Sequence, residues 1–370
     1  MRTPYFLIEE SKIVRNLEIL ADVKRRTGCK ILLAQKAYSA FFTYPLIAGY
    51  LDGTAASGLY EARLGKTAFG KETHVFSPAY NDEEWDELML YADHVIFNSP
   101  TQARKFLPRA KAAGKQVGLR LNPECSTQEG HGIYDPCGKY SRLGTTKANL
   151  DAETADMLDG VHMHTLCEQD SDALEVTVAA LEEKFGDVLK KVKWINLGGG
   201  HHITREGYDI DRLVRTVNGL ADRYGAQVYL EPGEAVVLNA GQLVCRVEDI
   251  TDNGMKIAIL DASAACHMPD VIEMPYRPPL QGSGLPDEKK YTYRLGGPTC
   301  LAGDVIGDYS FDRPLRVGDI LRFDDMALYT MVKTNTFNGM RLPSICLERS
   351  DGSVETVKEF CYEDFAGRLG

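Results

Sequence analysis

Over its first 240 residues the chain repeats one pattern eight times: a short apolar run, then a connecting stretch. The runs are Lys30 to Ala34, Leu51 to Ala55, His74 to Phe76, His94 to Phe97, Val117 to Leu121, Gly160 to Met163, Trp194 to Leu197 and Gln227 to Leu230. Between most of them lie segments with helical spacing of apolar residues, such as Asp82 to Tyr91, Thr101 to Ala113, Asp172 to Lys191 and Asp211 to Tyr224. Short runs with little alternation read as strands buried on both faces. Strands alternating with helices build right-handed βαβ units and a parallel sheet. Eight units are the number that closes a (β/α)8 barrel, with an open doubly wound sheet as the competing arrangement. One connection is long, Asn122 to Asp159, and holds Gly130-His131-Gly132 and the run Gly138 to Gly144. Long loops on such a scaffold are usually functional.

After about residue 240 the pattern changes. Gln242 to Ile250, Lys256 to Asp261, Tyr291 to Leu295, Asp319 to Phe323 and Ser344 to Glu348 read as strands parted by Gly, Pro and Asp turns. This is an all-β domain, and the strand-like Tyr5 to Glu9 is available to join it. No apolar run reaches the length of a membrane helix. A net charge of −11 argues against a nucleic-acid partner. The nine cysteines form no CxxC pair, the usage of a cytoplasmic protein with reduced thiols.

Barrels place their chemistry at the C-terminal strand ends. The first run leads into Gln35-Lys36-Ala37. A lysine there is either a desolvated, Schiff-base-forming amine or a solvated strand tip. The sixth ends His162-Met163-His164, whose alternate residues share a face. They read as a metal pair, as an imidazole stacked on a flat cofactor, or as one core and one solvated histidine. The seventh ends Gly198-Gly199-Gly200-His201-His202, whose bare backbone N–H groups suit a phosphate. The eighth ends Glu231-Pro232-Gly233-Glu234, where a carboxylate could face a pyridinium nitrogen or merely solvent. In the β domain, Gly296 to Asp304 is a glycine-rich turn around Cys300, an acid or a small hydrophobe, and Tyr329 follows in a loop.

In chain order these residues resemble those of the pyridoxal-phosphate-dependent decarboxylases with an alanine-racemase-type barrel. That group acts on ornithine, arginine, diaminopimelate and carboxynorspermidine. The resemblance covers nearly the whole chain. It implies a barrel over residues 10–240 that binds pyridoxal 5'-phosphate, and a β domain of residues 1–9 and 241–370. It also implies a homodimer with shared active sites. By resemblance Lys36 is the Schiff-base lysine, His164 stacks on the ring, and Gly198, Gly199 and Gly200 hold the phosphate. Glu231 pairs with the pyridine nitrogen, Tyr329 touches phosphate or ring, and Arg120 matches a family arginine. Cys300 is the proton donor, reaching across to the partner's site. Ser57 and Glu61 sit in the family's serine-to-glutamate motif, one residue longer here than in diaminopimelate enzymes.

The departures concern the substrate. Diaminopimelate decarboxylases carry Arg after Glu-Pro-Gly and a Cys-Glu-Ser run; here Glu234 and Leu301-Ala302 stand instead. The resemblance therefore points to carboxynorspermidine or carboxyspermidine as substrate, with a diaminopimelate- or ornithine-type amino acid as the alternative. A polyamine tail is cationic and calls for carboxylates. Glu168, Glu234, Asp261 and Asp304 are the candidates, each of which could equally be solvated. A metal hydrolase using His162, His164, His201 and His202 is a different chemistry. It lacks an obvious carboxylate set and leaves Lys36 unexplained, so no metal is expected. An alanine racemase needs a tyrosine base from its partner subunit, whereas the Gly-Pro-Thr-Cys run favours decarboxylation.

Overall fold

The structure, a computed structural model, describes residues 1–128 and 132–370. Gly130 and His131 of the expected loop motif lie outside the described residues. Contacts divide the chain into two units, Asn16–Val236 and Met1–Arg15 with Val237–Gly370.

The strands in chain order begin with β1 (Tyr5–Glu9). Eight follow in the first unit: β2 (Lys30–Ala34), β3 (Gly53–Ala56), β4 (Glu72–Phe76), β5 (His94–Phe97), β6 (Gln116–Arg120), β7 (Gly160–His162), β8 (Trp194–Asn196) and β9 (Gln227–Leu230). Each pairs in parallel with the next, and β9 returns to β2 through Lys30↔Tyr229 and Ile31↔Leu230. That last ladder closes the barrel and excludes the open sheet. Ile31, Leu32, Leu33, Val95, Ile96, Phe97 and Val117 are fully buried because a closed parallel sheet covers both faces of each strand. Leu32, Ile96, Trp194 and Tyr229 pack inside. A Cβ at Gly160 would stand 1.9 Å from the Trp194 ring, and one at Gly118 2.3 Å from it. Glycine on β6 and β7 thus makes room for the one large indole in the lumen. The outer helices start where capping residues predict: Asn81, Ser99 and Asp209 accept the N–H of Glu84, Gln102 and Arg212.

The second unit is an eight-stranded mixed sheet. It adds β10 (Gly241–Asp252), β11 (Lys256–Leu260), β12 (Tyr291–Gly296), β13 (Val305–Phe311), β14 (Ile320–Asp324), β15 (Ser344–Glu348) and β16 (Val354–Lys358). The order is β13-β12-β11-β10-β1-β15-β16, with β14 also on β10. The N-terminal strand β1 joins this sheet, antiparallel to β10 and parallel to β15. Sequence periodicity missed β13 and β16. In β13, Gly307, Asp308 and Ser310 break the alternation, and β16 is exposed at every position. Among the described residues no helix is long and apolar enough to cross a membrane.

Candidate active site

The C-terminal ends of the barrel strands gather most of the residues singled out in that unit. Lys36 lies just beyond β2. Gln35, Ala37 and Tyr38 around it are fully buried. Gln35 is fixed at both ends of its amide: Nε2 donates to the Glu61 carbonyl at 2.9 Å and Oε1 accepts from the Tyr44 hydroxyl at 3.0 Å. With its neighbours turned inward, Lys36 projects into a cavity of about 260 Å³, shared with Ser57, Phe76, Arg120, His162, His164 and Glu231. Lys36 is itself exposed to solvent, with protein atoms gathered around it. Desolvation, then the Arg120 charge, pushes the lysine below its ordinary pKa, against the opposing pull of Glu231. An amine that loses its proton more readily is a better nucleophile near neutral pH.

Glu231 is the first residue after β9 and 8% exposed. Its Oε2 lies 3.2 Å from His162 Nε2, and its Oε1 accepts from Asn196 Nδ2 at 2.7 Å. Burial alone would raise this carboxyl; His162, His74 and the Asn196 bond outweigh it and hold it at about 2. The site therefore keeps a buried carboxylate ionised. Asn196 also accepts the Gly198 N–H at 2.8 Å, so one amide ties the carboxylate to the glycine run. Sequence reading missed Asn196, though the signal was present: a polar residue ending a buried strand.

The glycine run is forced by crowding. Gly198 and Gly200 have φ of +68° and +86°, and a Cβ on Gly199 would fall 2.3 Å from the Glu231 carbonyl oxygen. Two of its three N–H groups serve the protein itself, since Gly198 donates to Asn196 and Gly199 to His164 Nδ1 at 3.1 Å. The Gly200 N–H has no partner among the described residues. Desolvation, then Lys36 and Arg120, keeps His164 well below the ordinary histidine pKa. The ring is thus neutral, and with Nδ1 accepting, its proton belongs on Nε2. Arg120 donates to the His164 carbonyl at 2.9 Å and lies 4.7 Å over the Phe76 ring. It supports the strand end that presents the imidazole.

Ser57 also borders the cavity, and its N–H donates to Glu61 Oε2 at 2.6 Å. Glu168 and Glu234 lie together with His202 in a second group, their ligand atoms within 4.8 Å of one another. Of the four histidines of the metal reading, His162 and His164 come together with Glu231, their ligand atoms within 4.8 Å of one another, while His201 and His202 have other neighbours. His162 faces Glu231, His164 accepts from Gly199, His201 Nε2 lies 2.9 Å from the Gly198 carbonyl, and His202 faces Glu234.

The remaining candidates belong to the sheet unit. Cys300 is exposed on its turn, its N–H held by Asn338 Oδ1 at 2.6 Å. Tyr329 sits in a left-handed backbone conformation with φ of 49°. Asp261 accepts the Arg246 N–H at 2.7 Å and borders a cavity with Thr3, Glu248 and Arg341. Asp304 requires a correction. It is 4% exposed, and its carboxylate accepts from the Ser263 and Thr299 hydroxyls and the Ala265 N–H. Its oxygens tie the Cys300 turn together, which removes it from the substrate-binding candidates.

Residues 30–327 match the family model described as pyridoxal-dependent decarboxylase, C-terminal sheet domain. A carboxynorspermidine/carboxyspermidine decarboxylase from Campylobacter jejuni is 41% identical over 379 residues, covering 100% of this chain and 98% of the relative. A carboxyaminopropylagmatine decarboxylase from Synechocystis is 41% identical over 371 residues, covering 100% and 95%. The crystal structure of the Campylobacter jejuni carboxynorspermidine decarboxylase complexed with norspermidine superposes with a TM-score of 0.92. It is 40% identical, and each chain is covered to 100%.

Proposed function

The chain belongs to the pyridoxal-dependent decarboxylases, and from that premise we propose that it decarboxylates carboxynorspermidine or carboxyspermidine, leaving norspermidine or spermidine. The observation that carries the substrate is Glu234 beside Glu168. Glu234 stands where the resemblance to diaminopimelate enzymes calls for an arginine. Two carboxylates at the strand ends suit a cationic tail and repel a distal carboxylate.

The cavity residues fit pyridoxal phosphate. It combines an amine of lowered pKa, an ionised buried carboxylate, a neutral flat imidazole and, in the Gly200 N–H, a donor without a partner among the described residues. In this reading Lys36 would hold the cofactor through Nζ, and His164 would lie on its ring. Gly198, Gly199 and Gly200 would hold the phosphate, Glu231 would face the ring nitrogen, and Tyr329 would touch phosphate or ring. When bound, the cofactor supplies the electron sink that lets carbon dioxide leave. Glu231 keeps a proton on the ring nitrogen by remaining charged where water is scarce. Arg120 fixes the strand end carrying His164. Cys300 returns a proton to the substrate α-carbon, delivered by a second copy of the chain. Its exposure on an anchored turn supports that role. All nine cysteines are free, which supports a cytoplasmic location.

A second reading is favoured by one observation, the equal identity to the carboxyaminopropylagmatine enzyme. That substrate ends in a guanidinium, which paired carboxylates also bind. The test is carbon dioxide release by the holoenzyme from carboxynorspermidine, carboxyspermidine, carboxyaminopropylagmatine, meso-diaminopimelate, ornithine and arginine. Release from the first two supports the proposal. Preference for the third installs the second reading. Release from diaminopimelate or ornithine alone overturns both.

A further inference from the structure

Past the residues assigned to the cofactor, three side chains meet on the same ends of three neighbouring barrel strands. Glu168 follows His164 by four residues, His202 follows Gly200 by two, and Glu234 follows Glu231 by three. The segments are laced together, since Gln169 N–H donates to the Gly200 carbonyl at 2.9 Å and His202 N–H to the Gln169 carbonyl at 3.1 Å. His202 is 8% exposed. Its Nε2 is ion-paired with Glu234 Oε2 at 3.2 Å, and its Nδ1 has no hydrogen-bond partner among the described residues. A buried imidazole paired with one carboxylate and close to a second, with Nδ1 left unsatisfied, occupies oxygens that suit another cation.

We propose that Glu168, His202 and Glu234 form one subsite for the distal ammonium group of the substrate tail, and that the His202 imidazolium holds that place in the free enzyme, yielding its proton when the tail docks. The proposal rests on the polyamine reading above and adds His202 to it. The charge balance is simple. Two carboxylates face one cation before docking, the imidazolium, and one cation after, the ammonium. The proton leaves His202 for solvent, and no other bond changes.

The groups facing His202 agree. Burial alone would push it down, but Glu234 and then Glu168 outweigh burial and raise it, against a smaller opposing effect of Arg205. Arg205 is itself paired with Asp170. A second cation brought to the same oxygens repels the imidazolium across a few ångströms, most strongly at Glu234, which is shielded from water with His202, while Glu168 is exposed. Sign follows from linkage. Binding that releases a proton tightens as pH rises through the free-enzyme pKa of His202, by up to about tenfold per pH unit for a whole proton.

The test is calorimetric titration of norspermidine into the holoenzyme, in buffers of low and high ionisation enthalpy, across neutral pH. The wild-type chain is expected to release part of a proton per site and to bind more tightly at higher pH. His202→Gln is expected to release none and to lose the pH dependence of KM. Glu234→Gln is expected to weaken binding about tenfold or more. Proton release unchanged in His202→Gln, or norspermidine bound by the wild-type chain with no release, overturns the proposal alone. Failure of norspermidine to bind, with carbon dioxide released from diaminopimelate or ornithine, overturns the polyamine reading and this inference together.

Discussion

At the scale of single residues, the candidate site is a set of side chains whose ordinary behaviour is changed by their neighbours. Glu231 stays charged in a dry place because His162 and Asn196 face it, and His164 stays neutral beside Lys36 and Arg120. Asn196 is the most informative of these because one amide serves two neighbours. In Asn196→Ala the bond to the buried carboxylate is lost and the Gly198 N–H is orphaned. A hydrogen bond to a charged group contributes about 1.5–3 kcal/mol. We expect pyridoxal phosphate affinity to fall about 10–100-fold. Titration of the apoenzyme, followed by the visible band of the bound cofactor, measures this, and affinity within twofold of wild type would remove Asn196 from the site. Most strand-end residues were legible because a polar group ending an apolar run needs a reason to be there. Asn196 escaped because its function is to hold others, and Asp304 misled because a carboxylate that ties a turn looks the same in sequence as one that waits for an amine.

At the scale of elements, the barrel was readable because a strand buried on both faces has little freedom in composition. The strands β2, β5 and β9 have the bounds that their apolar runs predict. The edge strand β16 was unreadable for the converse reason, since exposure at every position leaves no alternation to detect. What the barrel encloses was also hidden. His74 of β4 pairs in register with His94 of β5, and their rings stack at 3.9 Å beside Trp194 and Tyr229. Desolvation, then His74, pushes His94 down to about 3. The unfolded chain regains the ordinary histidine value of about 6.5. Between those values the unfolded state binds more protons, so stability rises with pH and is lost as pH falls from about 6.5 toward 3. His94 accounts for up to about 1.4 kcal/mol per pH unit of that slope. His94→Gln is expected to flatten the dependence of unfolding free energy on pH by that amount in this window and to leave it unchanged above pH 7. Denaturant titrations at several pH values decide it; an unchanged slope would mean that His94 is already charged in the folded chain.

At the scale of the whole molecule, the proposed proton donor Cys300 acts either within its own chain or on a second copy. The chain commits its N-terminal strand β1 to a place between β10 and β15, more than 230 residues away in sequence. The strand was legible, but its partners were not, because pairing across such a separation leaves no local mark. The same limit applies to assembly: Cys300 stands exposed on a turn whose geometry Asp304 and Asn338 fix, and no pattern in the sequence states whose α-carbon it serves. If a second copy supplies Cys300, Lys36→Ala and Cys300→Ala chains should each be inactive alone and should rescue one another when mixed. A twofold dimer places two identical sites at its interface. Random exchange of equal amounts makes half the dimers mixed, and each mixed dimer carries one site with both native residues. Activity should therefore recover to about one quarter of the wild-type value. Carbon dioxide release before and after subunit exchange reads this directly. A donor acting within its own chain would give no recovery, because every Cys300 would then serve the Lys36 of its own chain and no exchange could pair an intact lysine with an intact cysteine.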